Sequence, residues 1–145
     1  MVQKIKPPTE YVEQVRLVKW LTKQGWKFTA IPNSTWTPGY AQINRNRASG
    51  VRSGMTDLII IVPIKGLVFL ELKREKGGHV SDEQQEWVDA LNAVGANVEA
   101  VIMKGADAAI KYLETYVQQP KEEGDQERSA GRDSFNAWLE GTNPV

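Results

Sequence analysis

Two apolar runs separated by three residues constrain the fold of this chain more than any other feature of its 145 residues. The runs are residues 57–63 (DLIIIVP) and residues 67–73 (LVFLELK). Their β-branched and apolar residues favour strands, and the short segment 64–66 (IKG) between them favours a hairpin. Since apolar side chains fall on both faces of these strands, we expect other elements to cover the hairpin on both sides.

The segments around this hairpin carry helix and strand signals of their own. Thr9 as an N-cap and Gly25 as a stop predict a helix over about residues 9–24. A capping box formed by Ser81 and Gln84 begins a second helix, which is expected to end near Gly95 and to turn Trp87, Val88, Leu91 and Val94 inward. The remaining predicted elements are strands at residues 26–31 and 97–103 and a helix at residues 106–119. This order predicts a single α/β domain with a mixed central sheet flanked by helices, αβββαβα.

Two segments lack apolar periodicity. Residues 33–53 are rich in Asn, Ser, Thr, Gly, Pro and Arg, and are predicted to form a long loop of the kind that often binds a ligand. From Pro120 onward the sequence is acidic, so we predict a domain at residues 1–119 and a flexible tail at 120–145. Within the tail, residues 134–140 place Phe135, Trp138 and Leu139 at helical spacing and are expected to dock on this domain or on a second subunit.

Several function classes are excluded by composition. The chain has no cysteine, which excludes disulfides, thiolate metal sites and cysteine nucleophiles. A single histidine, His79, excludes a multi-histidine metal site. The longest apolar run, residues 58–62, is far shorter than the roughly 20 residues that a membrane span requires, and residues 1–8 lack the apolar segment of a signal peptide. We therefore expect a cytoplasmic protein with no membrane partner and no organic cofactor.

The charge of the chain is zero in total but unevenly distributed. The 18 basic and 18 acidic residues cancel over the whole sequence. Residues 1–80 contain thirteen basic and five acidic residues, a balance of +8, whereas residues 81–145 carry −8. A neutral sum therefore does not exclude a nucleic-acid partner.

Asp57, Glu71 and Lys73 form the most informative constellation. Glu71 and Lys73 are two residues apart and so project from the same face of a strand. A two-residue turn at residues 65–66 would put Asp57 on the opposite face. A three-residue loop at 64–66, with Gly66 in the left-handed conformation, would set Asp57 across from Lys73 and bring it to roughly 7–8 Å from Glu71 on the same face. We predict this even register.

Two carboxylates on one face without soft ligands suit a hard cation, and Mg²⁺ or Mn²⁺ is the natural choice. A lysine beside the second carboxylate can hold and polarise a water molecule, while the cation neutralises the charge that develops on a phosphodiester. These are the requirements for phosphodiester hydrolysis. The competing interpretation is an exposed ion pair between Glu71 and Lys73 on an edge strand.

A wider pattern resembles the VRR-NUC family of the PD-(D/E)xK nuclease superfamily. The resemblance is carried in order by residues 54–60 (GMTDLII), 68–74 (VFLELKR), 80–91 (VSDEQQEWVDAL) and 95–98 (GANV), within a likeness spanning about residues 9–119. It implies a restriction-endonuclease-like fold and Mg²⁺- or Mn²⁺-dependent DNA cleavage. One departure is Thr56, where the family usually has proline.

The resemblance also implies residue roles. Asp57 and Glu71 match the metal-binding carboxylates, the Leu72 carbonyl matches a further ligand, and Lys73 matches the catalytic lysine. Gln84 matches a glutamine that opens the following helix, a position that a capping box alone also explains. On the first helix, spacing favours Glu10 as a further catalytic and metal-binding acid, and Glu13 remains the alternative.

Aromatic and basic residues interleave in the predicted loop, a combination that suits phosphate contacts and base stacking. The candidate DNA contacts are Arg45, Arg47 and Arg52, with Arg74 and Lys76 beyond the catalytic strand. Family members that consist of the nuclease domain alone are associated with phage genomes and with branched DNA such as four-way (Holliday) junctions, which implies a homodimer. The alternatives are a non-catalytic nucleic-acid-binding module and a small-molecule metal hydrolase.

Overall fold

The first helix begins and ends where its capping residues predict. In the computed structural model, which describes residues 6–32 and 39–117, helix α1 spans Glu10–Gln24. The Thr9 side chain accepts a hydrogen bond from the Val12 N–H, and Gly25 adopts the left-handed conformation with φ of 70°. Leu17 and Leu21 are fully buried on one side of this helix, so it packs as an amphipathic element.

A four-stranded mixed sheet forms the centre of the molecule. Its strands are β1 (Lys27–Ala30), β2 (Leu58–Val62), β3 (Gly66–Lys73) and β4 (Val98–Lys104), in the spatial order β1-β2-β3-β4. The first three strands pair antiparallel, and β4 runs parallel to β3. The remaining helices are α2 (Tyr40–Ala48), α3 (Asp82–Asn92) and α4 (Ala106–Val117).

The predicted even register of the hairpin is confirmed, but its loop lies elsewhere. Val62 pairs with Gly66 and Leu58 with Leu70, so the three loop residues are 63–65 rather than 64–66. Ile64 takes the left-handed conformation, with φ of 72°, and Gly66 also has a positive φ, of 117°. Glycine is required at 66 for a second reason: a Cβ there would lie 2.2 Å from the Asn97 carbonyl oxygen. The observed pairing differs from the predicted one by two residues. Because this is an even number, every side chain keeps its predicted face.

The hairpin is covered on both sides, as its apolar faces predict. On one face, even-numbered residues of β2 and β3 pack against α1 and α4, with Leu58, Ile60, Leu70 and Leu72 in this core. On the other face, Phe69 and Ala100 pack with Val88 of α3. The sheet therefore lies between two helical layers, and its carboxyl-terminal β3 end is enclosed by both.

The segment predicted as a loop at 33–53 is in part a helix, and this prediction was wrong. Helix α2 extends over nine residues, none of which is buried. Apolar periodicity did not predict it because this helix has no apolar face that packs on the domain. The observed order is therefore αβαββαβα, with one helix more than predicted. Residues 33–38, which include Trp36, lie outside the described residues.

Helix α3 has the predicted capping box but ends three residues earlier than expected. Ser81 and Gln84 satisfy each other's backbone N–H groups at its start. The helix ends at Asn92, so Val94 lies beyond it and is 67% exposed rather than turned inward. The Asn92 side chain instead bonds both the N–H and the carbonyl of Ala100, at 2.8 and 3.0 Å, and thereby occupies the outer edge of β4.

The chain beyond α4 lies outside the described residues. Helix α4 spans Ala106–Val117 within the predicted 106–119. The predicted boundary near residue 119, the tail at 120–145 and the segment at 134–140 stay predictions. No helix in the described part of the chain has the length and apolar character to cross a membrane.

Candidate active site

Asp57 lies at the end of the sheet where the β2–β3 ladder stops. The last pair of the ladder is Leu58 with Leu70, so the register extended by one residue sets Asp57 directly opposite Glu71 and not, as predicted, opposite Lys73. The Asp57 carbonyl accepts a hydrogen bond from the Ile31 N–H at 2.8 Å, and its Oδ2 accepts one from the Leu72 N–H at 2.8 Å. The first bond fixes the Asp57 backbone, and the second holds its carboxylate against β3.

Glu71 is buried and is held on one of its two oxygens only. Its Oε1 accepts hydrogen bonds from Lys73 Nζ, at 2.8 Å, and from Gln84 Nε2. Its Oε2 is buried and accepts no hydrogen bond from any described residue. Glu71 is 3% exposed and Lys73 7%, so this pair is not the exposed edge-strand ion pair of the competing interpretation.

Burial sets the electrostatics of the two carboxylates. It raises the pKa of Asp57 above its ordinary value of 3.8, against the hydrogen bond from Leu72 and the charge of Lys73, which lower it. Burial also raises the pKa of Glu71 above 4.5, against the hydrogen bond from Lys73 and in concert with the charge of Asp57. The charge of Glu10 raises both. Ionising this cluster therefore costs free energy unless a cation is present.

The two candidate acids of α1 have different surroundings. Glu13 is 2% exposed, and its Oε2 accepts hydrogen bonds from the Ala106 N–H at 2.7 Å and from Arg16 at 3.2 Å. It thus caps the start of α4. Glu10 Oε1 lies 3.4 Å from the Arg74 N–H, and its charge acts on Asp57 and Glu71. The geometry therefore brings Glu10, and not Glu13, to the cluster.

This difference leads to a prediction about stability. Glu13→Ala is expected to lower the free energy of unfolding by about 2 kcal/mol, because it leaves the buried Ala106 N–H without its acceptor. The matched variant Glu10→Ala is expected to change the free energy of unfolding by less than about 0.5 kcal/mol, because Glu10 is exposed. Urea denaturation with a chelator present measures both. Equal losses would show that Glu13 has no special structural role.

The donor set fits a hard divalent cation. The free, buried Oε2 of Glu71 is an unsatisfied oxygen beside Asp57, and it lacks the stabilising contact that a cation would supply. N–H and C=O of one strand residue point to the same edge, so the Leu72 carbonyl also faces Asp57. No three His, Cys, Asp or Glu side chains within residues 6–32 and 39–117 form a ready-made cage. Mg²⁺ commonly uses one or two carboxylates, with water and substrate phosphate completing its shell.

The candidate DNA-binding residues lie in two surface segments. Arg45 and Arg47 lie in the last turn of α2, and Arg52 follows it, with Nη1 bonded to the carbonyls of Arg47 and Val51. Arg74 and Lys76 are exposed in the segment after β3. The sequence around α2 is also free of acids, because residues 14–56 contain no Asp or Glu. All nine residues of α2 are thus free of negative charge.

Two glycines that sequence reasoning missed help to position the site. A Cβ on Gly78 would lie 2.7 Å from the Lys73 Cβ, so only glycine lets this loop pass against the lysine. Gly54 has φ of 88°, and a Cβ there would lie 2.6 Å from the Glu83 carbonyl carbon. Gly54 therefore lets the segment before Asp57 approach α3. The Gly77-Gly78 pair and the Gly54 turn residue were the available sequence signals.

The fold and this cluster together define a nuclease-type domain. Residues 6–107 match the VRR-NUC domain family, and the chain belongs to that family. A VRR_NUC domain protein of known structure has a similar fold, with a TM-score of 0.60 at 25% identity over 78% of this chain and 91% of that chain. No curated protein matches the chain. The predicted family and the restriction-endonuclease-like α/β fold are confirmed, and the chain has a nuclease-type domain of this class.

Proposed function

We propose that this protein is a Mg²⁺- or Mn²⁺-dependent endodeoxyribonuclease that hydrolyses phosphodiester bonds in branched DNA. The observation that carries the proposal is the half-satisfied carboxylate of Glu71. Lys73 and Gln84 hold its Oε1, while Oε2 stays buried and free beside Asp57. A carboxylate arranged in this way keeps one oxygen for a cation while the other pairs with Lys73.

Each residue of the cluster has a distinct task in this chemistry. Asp57, Glu71 and the Leu72 carbonyl would hold the cation, which neutralises charge on the phosphate when bound. Lys73 Nζ holds a water molecule for attack and stabilises negative charge in the transition state. Gln84 fixes the orientation of Glu71 through its amide, and Glu10 adds negative charge that favours a divalent cation. The low exposure of Glu71 and Lys73 excludes bulk water and strengthens these interactions.

The exposed basic residues support a DNA substrate. Helix α2 has no buried residue and no acid, and it carries Arg45 and Arg47 in its last turn. A helix that packs on so little of its own domain is available to a partner, and its arginines suit phosphate oxygens. Arg74 and Lys76 add two exposed basic residues in the segment directly after β3.

Cleavage of a four-way junction tests the proposal against its alternative. The wild-type chain is incubated with a junction and with a linear duplex of the same sequence, in Mg²⁺, in Mn²⁺ and in chelator. We expect metal-dependent cutting of the junction, and DNA binding without cutting for Asp57→Asn. Binding without cleavage by the wild type in either metal would establish the non-catalytic module instead. Cutting that survives Asp57→Asn would place the chemistry at another site.

The proposed role of the arginines in DNA binding is tested by measuring the affinity for a junction. Replacing Arg45, Arg47 and Arg52 with Ala is expected to weaken junction binding about tenfold or more and to flatten its dependence on salt, because fewer counterions are then released. The control is replacement of three basic residues elsewhere, Lys19, Lys23 and Lys111. Unchanged affinity in the first variant would contradict this DNA-binding surface.

Symmetrical cutting of a junction requires two active sites, so we propose a homodimer that acts in the cytoplasm, as expected for a phage-encoded enzyme. Residues 134–140 supply apolar side chains for such a contact, although they lie outside the described residues. The mass in solution of the full chain, compared with residues 1–119 alone, measures this. A monomeric full chain would contradict it.

A further inference from the structure

A cavity lined by residues of α3 takes no part in the chemistry described above. It has a volume of about 460 Å³ and is formed between the segment after α2 and the outer side of α3. Its lining consists of Arg52, Ser53, Glu83, Glu86, Trp87 and Ala90. A cavity of this size lies in the range of small-ligand sites.

An aromatic ring forms one fixed wall of this cavity. Trp87 is partly buried, and its indole N–H donates a hydrogen bond to the Ser53 carbonyl at 3.0 Å. This bond holds the ring in one orientation. Gly54 allows the two walls to approach, because any larger residue there would collide with Glu83. The ring is thus available as a stacking surface for a flat ligand.

The cavity contains both hydrogen-bond acceptors and hydrogen-bond donors. The side chains of Glu83 and Glu86 make no hydrogen bond or ion pair with any residue that the structure describes, and their carboxylates can only accept. Arg52 can only donate, and its Nη1 is held by two backbone carbonyls. Two carboxylates against one guanidinium disfavour a phosphate group. They favour a neutral flat ligand that has donors on one edge and acceptors on another.

Guanine has this pattern. Its N1–H and N2 amino group donate on one edge, whereas O6 and N7 accept on another and match arginine. Thymine has no amino group and one ring N–H. A guanine paired in a duplex has its donor edge occupied, so only an unpaired base can present its donors to a carboxylate and its face to a ring.

We propose that this cavity binds an unpaired guanine of the DNA substrate, stacked on Trp87 and donating to Glu86 or Glu83. The inference rests on the proposed function and names a feature of its substrate. Gln84, on the same first turn of α3, donates to Glu71, so a base bound here lies next to the catalytic cluster. A branch point that carries an unpaired nucleotide supplies such a base beside duplex, which unbroken duplex does not.

The test measures binding without cleavage. Full-length Asp57→Asn protein in chelator is titrated into fluorescent duplexes that share one branched end and differ in a single unpaired nucleotide, G or T, and anisotropy gives the Kd. We expect the G substrate to bind about tenfold more tightly than the T substrate. Adding Glu83→Gln and Glu86→Gln together is expected to reduce this ratio to less than about twofold, because binding of the G substrate is weakened. The matched control Glu114→Gln, an exposed acid of α4, is expected to keep the tenfold ratio.

Equal affinity for G and T in the parent protein would overturn the assignment, as would a preference that survives the combined changes at Glu83 and Glu86. The two proposals fail separately. A guanine preference in a chain that does not cleave DNA refutes only the hydrolysis, and cleavage without a preference refutes only the base cavity.

Discussion

Asp57→Asn is expected to stabilise the metal-free protein while abolishing its metal response and its cleavage of DNA. Burial raises the pKa of the Asp57 carboxyl, and the charges of Glu71 and Glu10 lie close enough to act on it. The amide oxygen of Asn can still accept the Leu72 N–H. We therefore expect the metal-free variant to be about 1 kcal/mol more stable, a rise in Tm of about 3 °C for a domain of this size.

The sign of the pH dependence follows from the raised pKa. A carboxyl group with a raised folded-state pKa adds stability below its unfolded value and loses it as the pH rises through the folded value. The Tm advantage of Asp57→Asn over the wild type, in chelator, should thus be small near pH 4 and grow toward neutral pH. A variant less stable than the wild type at pH 7 would contradict this electrostatic argument.

Addition of metal should reverse the order of stabilities. A cation that binds only the folded wild type at 100 times its Kd adds about 2.7 kcal/mol, whereas the variant has lost one of its two carboxylate ligands. Thermal melts with and without Mn²⁺ measure this, and Glu114→Gln serves as the control that keeps the wild-type response. Cleavage of the junction is expected to fall by at least about 10³-fold in the variant.

Strand alternation allowed the faces of the hairpin to be predicted, but not its loop. Burial of Leu58, Leu70 and Leu72 on one face fixes the parity of pairing, because an odd shift would move all of them. An even shift keeps the faces and changes only the residues of the turn. The choice between loops at 63–65 and 64–66 depends on the approach of Gly66 to the Asn97 carbonyl, a contact between segments that no local pattern contains.

The candidate site could likewise be predicted only in part from the sequence. The pair formed by Glu71 and Lys73 follows from strand spacing, and its burial follows from apolar neighbours on both faces. The separate surroundings of Glu10 and Glu13 depend on how α4 meets α1, which spacing along one helix does not contain. Helix α2 has no buried face, so the periodicity that reveals packed helices is absent from its sequence. The Trp87 cavity arises only where two distant segments meet.

Lys73→Met is expected to have the largest combined effect on stability and activity. Lys73 Nζ lies 2.8 Å from Glu71 Oε1, and both side chains are buried. Methionine fills a similar volume but leaves a buried carboxylate without its charged partner. Breaking such a pair lowers the free energy of unfolding by about 3 kcal/mol. We expect this loss in chelator, measured by urea denaturation, with Lys111→Met on the exposed face of α4 as the control.

Metal should offset part of this loss without restoring activity. A bound cation supplies a new partner for the Glu71 carboxylate, so the stability difference between Lys73→Met and the wild type should shrink in Mn²⁺. Cleavage should nevertheless stay about 10²–10⁴-fold below wild type, because Lys73 also acts on the attacking water and on the transition state. Near wild-type cleavage by metal-loaded Lys73→Met would mean that Lys73 only holds Glu71 and takes no part in the chemistry.

A second substitution separates the lost ion pair from the lost packing. In Lys73→Met/Glu71→Gln no uncompensated charge remains between the two positions, so the double variant should be more stable in chelator than Lys73→Met alone, with a coupling energy of about 1–3 kcal/mol. It should also show no stabilisation by Mn²⁺, since the free Glu71 oxygen that favours the cation is gone. A double variant that is less stable than Lys73→Met would mean that the Gln84 contact to Glu71, and not the ion pair, stabilises this end of the sheet. The double variant therefore tests whether the buried carboxylate of Glu71 serves to bind a cation or to stabilise the fold.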